Sequence, residues 1–271
     1  MLTPAWPWAL LFPAYALLWW PQARTWAGAL LAAGLAAAAW EGLLEPMAAL
    51  PLALLGLSGW LLRHQRRVLG HLLFVALALA LSLHLAPGFH NPLVIALGPL
   101  KADAIAWRMH LNLDKPLLAW WVLLVTAPPL ARGLGYTVRT ALAYGLGASL
   151  ICLGLAWLSG AIAWAPGWPP HSLIWWLNNA LLVTLAEEAL FRGYVQQQLT
   201  PRLGPWRAGL IAALLFGLAH AAGGPLMVVL ASLAGLAYGW AYHRAGLAAA
   251  VLAHLLLNTL HFWLFTYPLA A

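Results

Sequence analysis

Long apolar stretches, separated by short polar punctuation, make up this chain. Trp26–Trp40 and Leu72–Leu81 are apolar on every side, which leaves no polar face for water and suits a helix in lipid or inside a bundle. Read between charges, prolines and glycines, the stretches predict about eight to ten spanning helices. On the fullest count these cover residues 5–21, 26–40, 46–62, 69–86, 116–131, 139–164, 172–198, 206–222, 225–243 and 246–267. The one long connection, Pro87–Lys115, mixes apolar residues with Lys101, Asp103, Arg108, Asp114 and Lys115. It predicts an amphipathic segment on the outer surface, with a gate on a substrate path as the less favoured alternative. At its end Asp114-Lys115-Pro116 predicts a helix start with an Asp cap and Pro in the first turn.

Composition turns this pattern into a fold class. Hydrophobic residues make up 64% of the 271, charged residues only 7%, and the mean hydropathy is +0.85. An aqueous fold carries nearer a quarter charged residues, so an all-α, polytopic transmembrane bundle is expected, with the lipid bilayer as its environment. Many of the 18 tryptophans sit near the ends of apolar stretches, among them Trp19, Trp20, Trp60, Trp120, Trp121, Trp168 and Trp206, which predicts an interfacial belt. The formal charge of +7 does not imply nucleic acid, because the basic residues stand singly or in short clusters between spans. An outer N-terminus places Arg24, Arg63, Arg66, Arg67, Arg132, Arg139, Arg202, Arg207 and Arg244 inside, and only Lys101, Arg108 and Lys115 outside. The first stretch lacks a basic n-region and reads as a retained span. The arginine-, alanine- and leucine-rich composition points to a bacterial inner membrane. Cys152, the only cysteine, allows no intrachain disulfide and reads as a small core residue.

Polar side chains at mid-span concentrate after residue 170. Glu187 and Glu188 lie together in the seventh stretch, followed one turn later by Arg192. Each charge at mid-membrane costs about 2.5–3.5 kcal/mol on insertion scales, so the pair needs a partner or a task. Spacing of i,i+4 lets Arg192 bind Glu188 and leaves Glu187 to face another helix. His220 closes the eighth stretch, and His254 and Asn258 share a face of the tenth. Measured from the flanking arginines at 1.5 Å per residue, Glu188, His220, His254 and Asn258 lie about 21, 20, 15 and 21 Å deep. A common intramembrane polar site follows. There a carboxylate and an imidazole can deprotonate a shared water, while a second His and an Asn amide can donate to an oxyanion. No HExxH helix is present, and neither Ser232 nor Cys152 has an evident base.

Glu187-Glu188-x-x-x-Arg192, Phe216-x-x-x-His220 and His254-x-x-x-Asn258, in this order on separate apolar helices, resemble the three motifs of the CPBP family of CAAX proteases and bacteriocin-processing enzymes. The resemblance covers roughly residues 172–262. It implies an intramembrane endopeptidase acting on a membrane-associated protein or peptide, with residues 171–267 as the catalytic core; residues 1–170, outside the resemblance, read as N-terminal transmembrane helices of the same membrane domain with no role assigned. By the same resemblance Glu187 and His220 activate water, His254 and Asn258 form the oxyanion site, and Glu188 with Arg192 holds the first motif. No cofactor is expected on this reading. Three alternatives remain open. Glu187, Glu188 and Arg192 can form a structural ion pair alone. Glu187, His220 and His254 can ligate zinc. The cluster can also serve a transporter or scaffold. His261, Asn178, Asn179 and His243 read as lining or interface residues.

Overall fold

The computed structural model describes residues 5–271. Among them each of the ten predicted stretches contains helix, and the protein is an integral membrane helical bundle. Four helices, Pro46–Arg63, Leu134–Leu158, Ala221–Ala245 and Leu247–Leu264, have both the length and the apolarity to cross a bilayer alone. Leu72, Leu79, Leu150 and Leu158 stand exposed on the helices' outer faces, where acyl chains solvate them at no cost.

Two helical hairpins lead the chain. In the first, α1 (Trp6–Leu17) packs on α2 (Arg24–Trp40), with Gly34 admitting Leu11. In the second, α3 (Ala49–Arg63) turns into α4 (Arg67–Ser82) through Gln65, whose φ is +65°, and Gly70 lies against the Ser58 carbonyl. Close approach at a glycine is how membrane helices gain packing contact without a hydrophobic driving force.

The connection 87–115 departs from expectation. Instead of a surface-lying amphipathic segment it forms an antiparallel hairpin of β1 (Leu93–Gly98) and β2 (Trp107–His110), an exception to the all-helical class. Leu93-Val94-Ile95 favours strand, but the run is short and its register is broken by two irregularities, so alternation along the sequence is faint. The hairpin is tied to the end of the chain. Ile105 N donates to Leu269 O, Ala271 N donates to Asp103 O, and Lys101 Nζ donates to the carbonyls of Ala165 and Phe265 at 2.8 Å each. Burial pushes the Lys101 ammonium down to about 8.

The next helix, α5 (Leu117–Trp121), continues as a π-helical turn, Val122–Thr126, and stops before Pro128-Pro129. Its expected Asp cap is not made. Asp114 instead accepts from the adjacent Lys115 N and from Asn91, and pairs with His84 at 2.8 Å. Trp120 and Trp121 are not belt residues either, for both are buried. Trp121 stacks on Phe74 and donates to Ser58 Oγ, pinning α5 to the second hairpin.

The remaining helices enclose the polar residues. They comprise α6 (Leu134–Leu158), α7 (Ser172–Asn178), α8 (Thr184–Glu188), α9 (Gln197–Leu218), α10 (Gly224–Ala245) and α11 (Leu247–Leu264). Residues 172–203 form one long helix in which π turns, Asn179–Val183 and Ala189–Gln196, flank α8. At Gly204, with φ 75° and ψ 165° between Pro201 and Pro205, the chain doubles back, so that Phe191 meets Phe216 and Gln196 lies beside Gly209. Helices α9 and α10 then approach closely, since a Cβ on Gly217 would strike Ser232 Oγ and one on Gly235 would crowd Ala213. The first amides of α11 are satisfied by the carbonyls of Pro129 and Leu130.

Candidate active site

The short helix α8 presents two carboxylates to different neighbours. Glu188 is fully buried, and its Oε1 meets both Arg192 Nη1 and His254 Nδ1 at 2.9 Å. The predicted i,i+4 pair is therefore present, with an imidazole added. Arg192 is equally buried. Its second amino group donates to Gly235 O at 2.9 Å, and its guanidinium lies 4.7 Å from the Phe216 ring centroid and 5.4 Å from that of Tyr238. Glycine at 235 is what lets the α10 backbone come within reach of the guanidinium.

His254 is held on three sides. Tyr238 stacks on it at 4.6 Å and 15°, Phe216 meets it edge-on at 5.7 Å, and Glu188 accepts its Nδ1 proton. A carboxylate acceptor selects the Nδ1–H tautomer, so the neutral ring carries a bare Nε2. That nitrogen lies 3.9 Å from Glu187 Oε2. Glu187 faces another element, as its helical angle predicts, and what it meets is a cation: Lys115 Nζ is 2.5 Å from Glu187 Oε1. The side chains of Lys115 and Glu187 are 19% and 11% exposed. Two carboxylates are thus balanced by one guanidinium and one ammonium, which offsets the cost of placing four charges in a low-dielectric interior.

His220 lies two residues beyond the end of α9. Its Nδ1 meets Phe216 O at 2.8 Å, which again leaves a bare Nε2 on the neutral ring, and its ring packs on Phe216 at 4.6 Å. It is half-buried and makes no hydrogen bond to Glu187, though it lies within electrostatic reach of that carboxylate. Asn258, one turn beyond His254, donates to Asn179 Oδ1 at 3.1 Å. Asn179 donates in turn to Trp175 O. Glu187, Glu188, Arg192 and His254 are therefore in one contiguous cluster. Asn258 extends it along α11, and His220 stands across Phe216. Among the described residues no three His, Cys, Asp or Glu side chains converge as metal ligands.

Sequence reasoning missed two contributors. Its position in a connector places Lys115 on the outer side of the membrane, away from the cluster, and Tyr238 carries no motif. The signal for Lys115 lay in the arithmetic of charge, because one arginine cannot neutralise two buried carboxylates.

These features define a class: a helical integral membrane protein with a charge-balanced cluster of carboxylates and imidazoles inside its bundle. Residues 169–260 match the model of the family described as Type II CAAX prenyl endopeptidase Rce1-like, which supports a likeness of this segment to the CAAX proteases. No curated protein and no solved structure matches the chain. The matched segment holds Glu187, Glu188, Arg192, His220, His254 and Asn258, whereas Lys115 lies outside it.

Proposed function

We propose that the chain is an intramembrane endopeptidase that hydrolyses a peptide bond of a membrane-associated protein or peptide with a water activated by Glu187 and an imidazole. The observation that carries this reading is the pair of acceptors, Glu187 Oε2 and His254 Nε2, 3.9 Å apart. One water can donate a proton to each, and loss of either proton makes it a nucleophile. Glu188 and Arg192 hold His254 and the helix in place. His220, across Phe216, is the second proton acceptor, and the Asn258 amide keeps one N–H for the developing oxyanion. Relative to the motif resemblance, His254 and His220 thus exchange weight as base, because the proton on His254 Nδ1 is committed to Glu188.

This chemistry requires no metal. A zinc ion ligated by Glu187 would compete with the Lys115 ammonium for the same carboxylate, so activity is expected to survive chelators. The enzyme operates in a bacterial inner membrane with its arginine-rich helix ends in the cytoplasm. The decisive experiment compares membrane peptides from cells carrying wild-type protein and Glu187→Gln by mass spectrometry of chain termini. A terminus present only with the wild type supports hydrolysis; identical termini in both, with the cellular phenotype retained by the variant, refute it.

A further inference from the structure

The proposed hydrolysis has a shortage of donors where the oxyanion forms. His254 gives its one proton to Glu188, so its neutral ring can only accept at Nε2, and Asn258 already spends an N–H on Asn179. The Lys115 ammonium has the opposite character. Among the described residues its only partner is Glu187, at 2.5 Å, so two of its three N–H groups are uncommitted at the edge of the cluster. It is also held in advance. Lys115 N donates to Asp114 Oδ1 at 2.8 Å, Asp114 is fixed by His84 and Asn91, and the hairpin before it is tied down through Lys101.

We propose that Lys115 is a catalytic electrophile, donating a hydrogen bond to the oxyanion of the tetrahedral intermediate, and that the chain before the family segment therefore completes the active site. The assignment rests on the hydrolase reading above. As water attacks, its oxygen bonds to the carbonyl carbon, its proton passes to Glu187, and the carbonyl π pair moves onto oxygen. Negative charge leaves the carboxylate as it arrives on the oxyanion. Lys115 stands beside the first and within side-chain reach of the second, so its ammonium keeps a counter-charge throughout and remains protonated. When the intermediate collapses, the C=O re-forms, the C–N bond breaks, and the amine leaves with the proton that Glu187 held. Interaction that strengthens only as charge develops lowers the barrier rather than tightening substrate binding.

The test uses the full chain in liposomes, the synthetic peptide spanning the Glu187-dependent terminus, and the phosphinate isostere of that peptide, a stable tetrahedral anion. Lys115→Met is expected to lower kcat by about 10²–10³-fold with KM little changed, and to weaken the phosphinate by a similar factor while sparing the uncut peptide. Lys115→Arg, which keeps donors and charge, is expected to recover part of both. Should the Met variant fail to fold, Lys115→Gln carries the measurement, with at least about tenfold loss of phosphinate affinity expected. Unchanged kcat, or a fall in kcat with the phosphinate bound as tightly as by the wild type, overturns the assignment and leaves the hydrolase standing. Absence of any Glu187-dependent terminus overturns the hydrolase and Lys115 with it.

Discussion

Ahead of α3, Glu45 meets His90 at 2.7 Å with both side chains 54% exposed; in α8, Glu188 meets Arg192 at 2.9 Å with neither exposed at all. The two contacts have nearly the same length and different consequences. Water competes for the first pair, so holding two side chains together gains little over letting each be hydrated. The second pair has no such fallback. Its members are removed from water, and their mutual contact, Gly235 O, the His254 ring and the faces of Phe216 and Tyr238 compensate them. Distance alone says little about an ion pair; the surroundings decide whether it can be lost.

That contrast can be broken most severely at Arg192. Arg192→Met leaves a buried Glu188 without its guanidinium and is expected to cost about 3–5 kcal/mol, read as a large fall in the melting temperature of detergent-solubilised protein, with activity lost. Next comes the packing that brings the guanidinium to α10. Gly217→Ala drives a methyl group into Ser232 at the α9–α10 contact and is expected to destabilise by about 1–3 kcal/mol in the same melt. The smallest effect belongs to the exposed pair, where His90→Ala should shift stability by less than about 1 kcal/mol. A loss at His90 comparable with that at Arg192 would refute the argument from hydration.

The parts of the site readable in the sequence are those that lipid makes expensive. A charge at mid-membrane must be matched, and the i,i+4 spacing of Glu188 and Arg192 leads directly to their bond. What the sequence hid was partnership across the fold. Lys115 and Glu187 are separated by 72 positions, and no local pattern links a connector lysine to a carboxylate in a later helix. The burial of Trp120 and Trp121 was equally hidden, since lipid tails and protein cores select the same apolar residues. The β1–β2 hairpin escaped for a different reason: six- and four-residue strands with an interrupted register leave too little alternation to read. The π turns flanking α8 have no compositional signature at all.

The reversal at Gly204 acts as a ruler. Glu187 lies 17 residues before the turn and His220 16 residues after it, so the two arms have nearly equal numbers of residues. Adding a single residue to either arm, anywhere between the turn and the site, would slide one of them by about 1.5 Å and swing it by about 100°. The stretch 188–219 is thus constrained in length as well as in composition, including residues that touch nothing reactive.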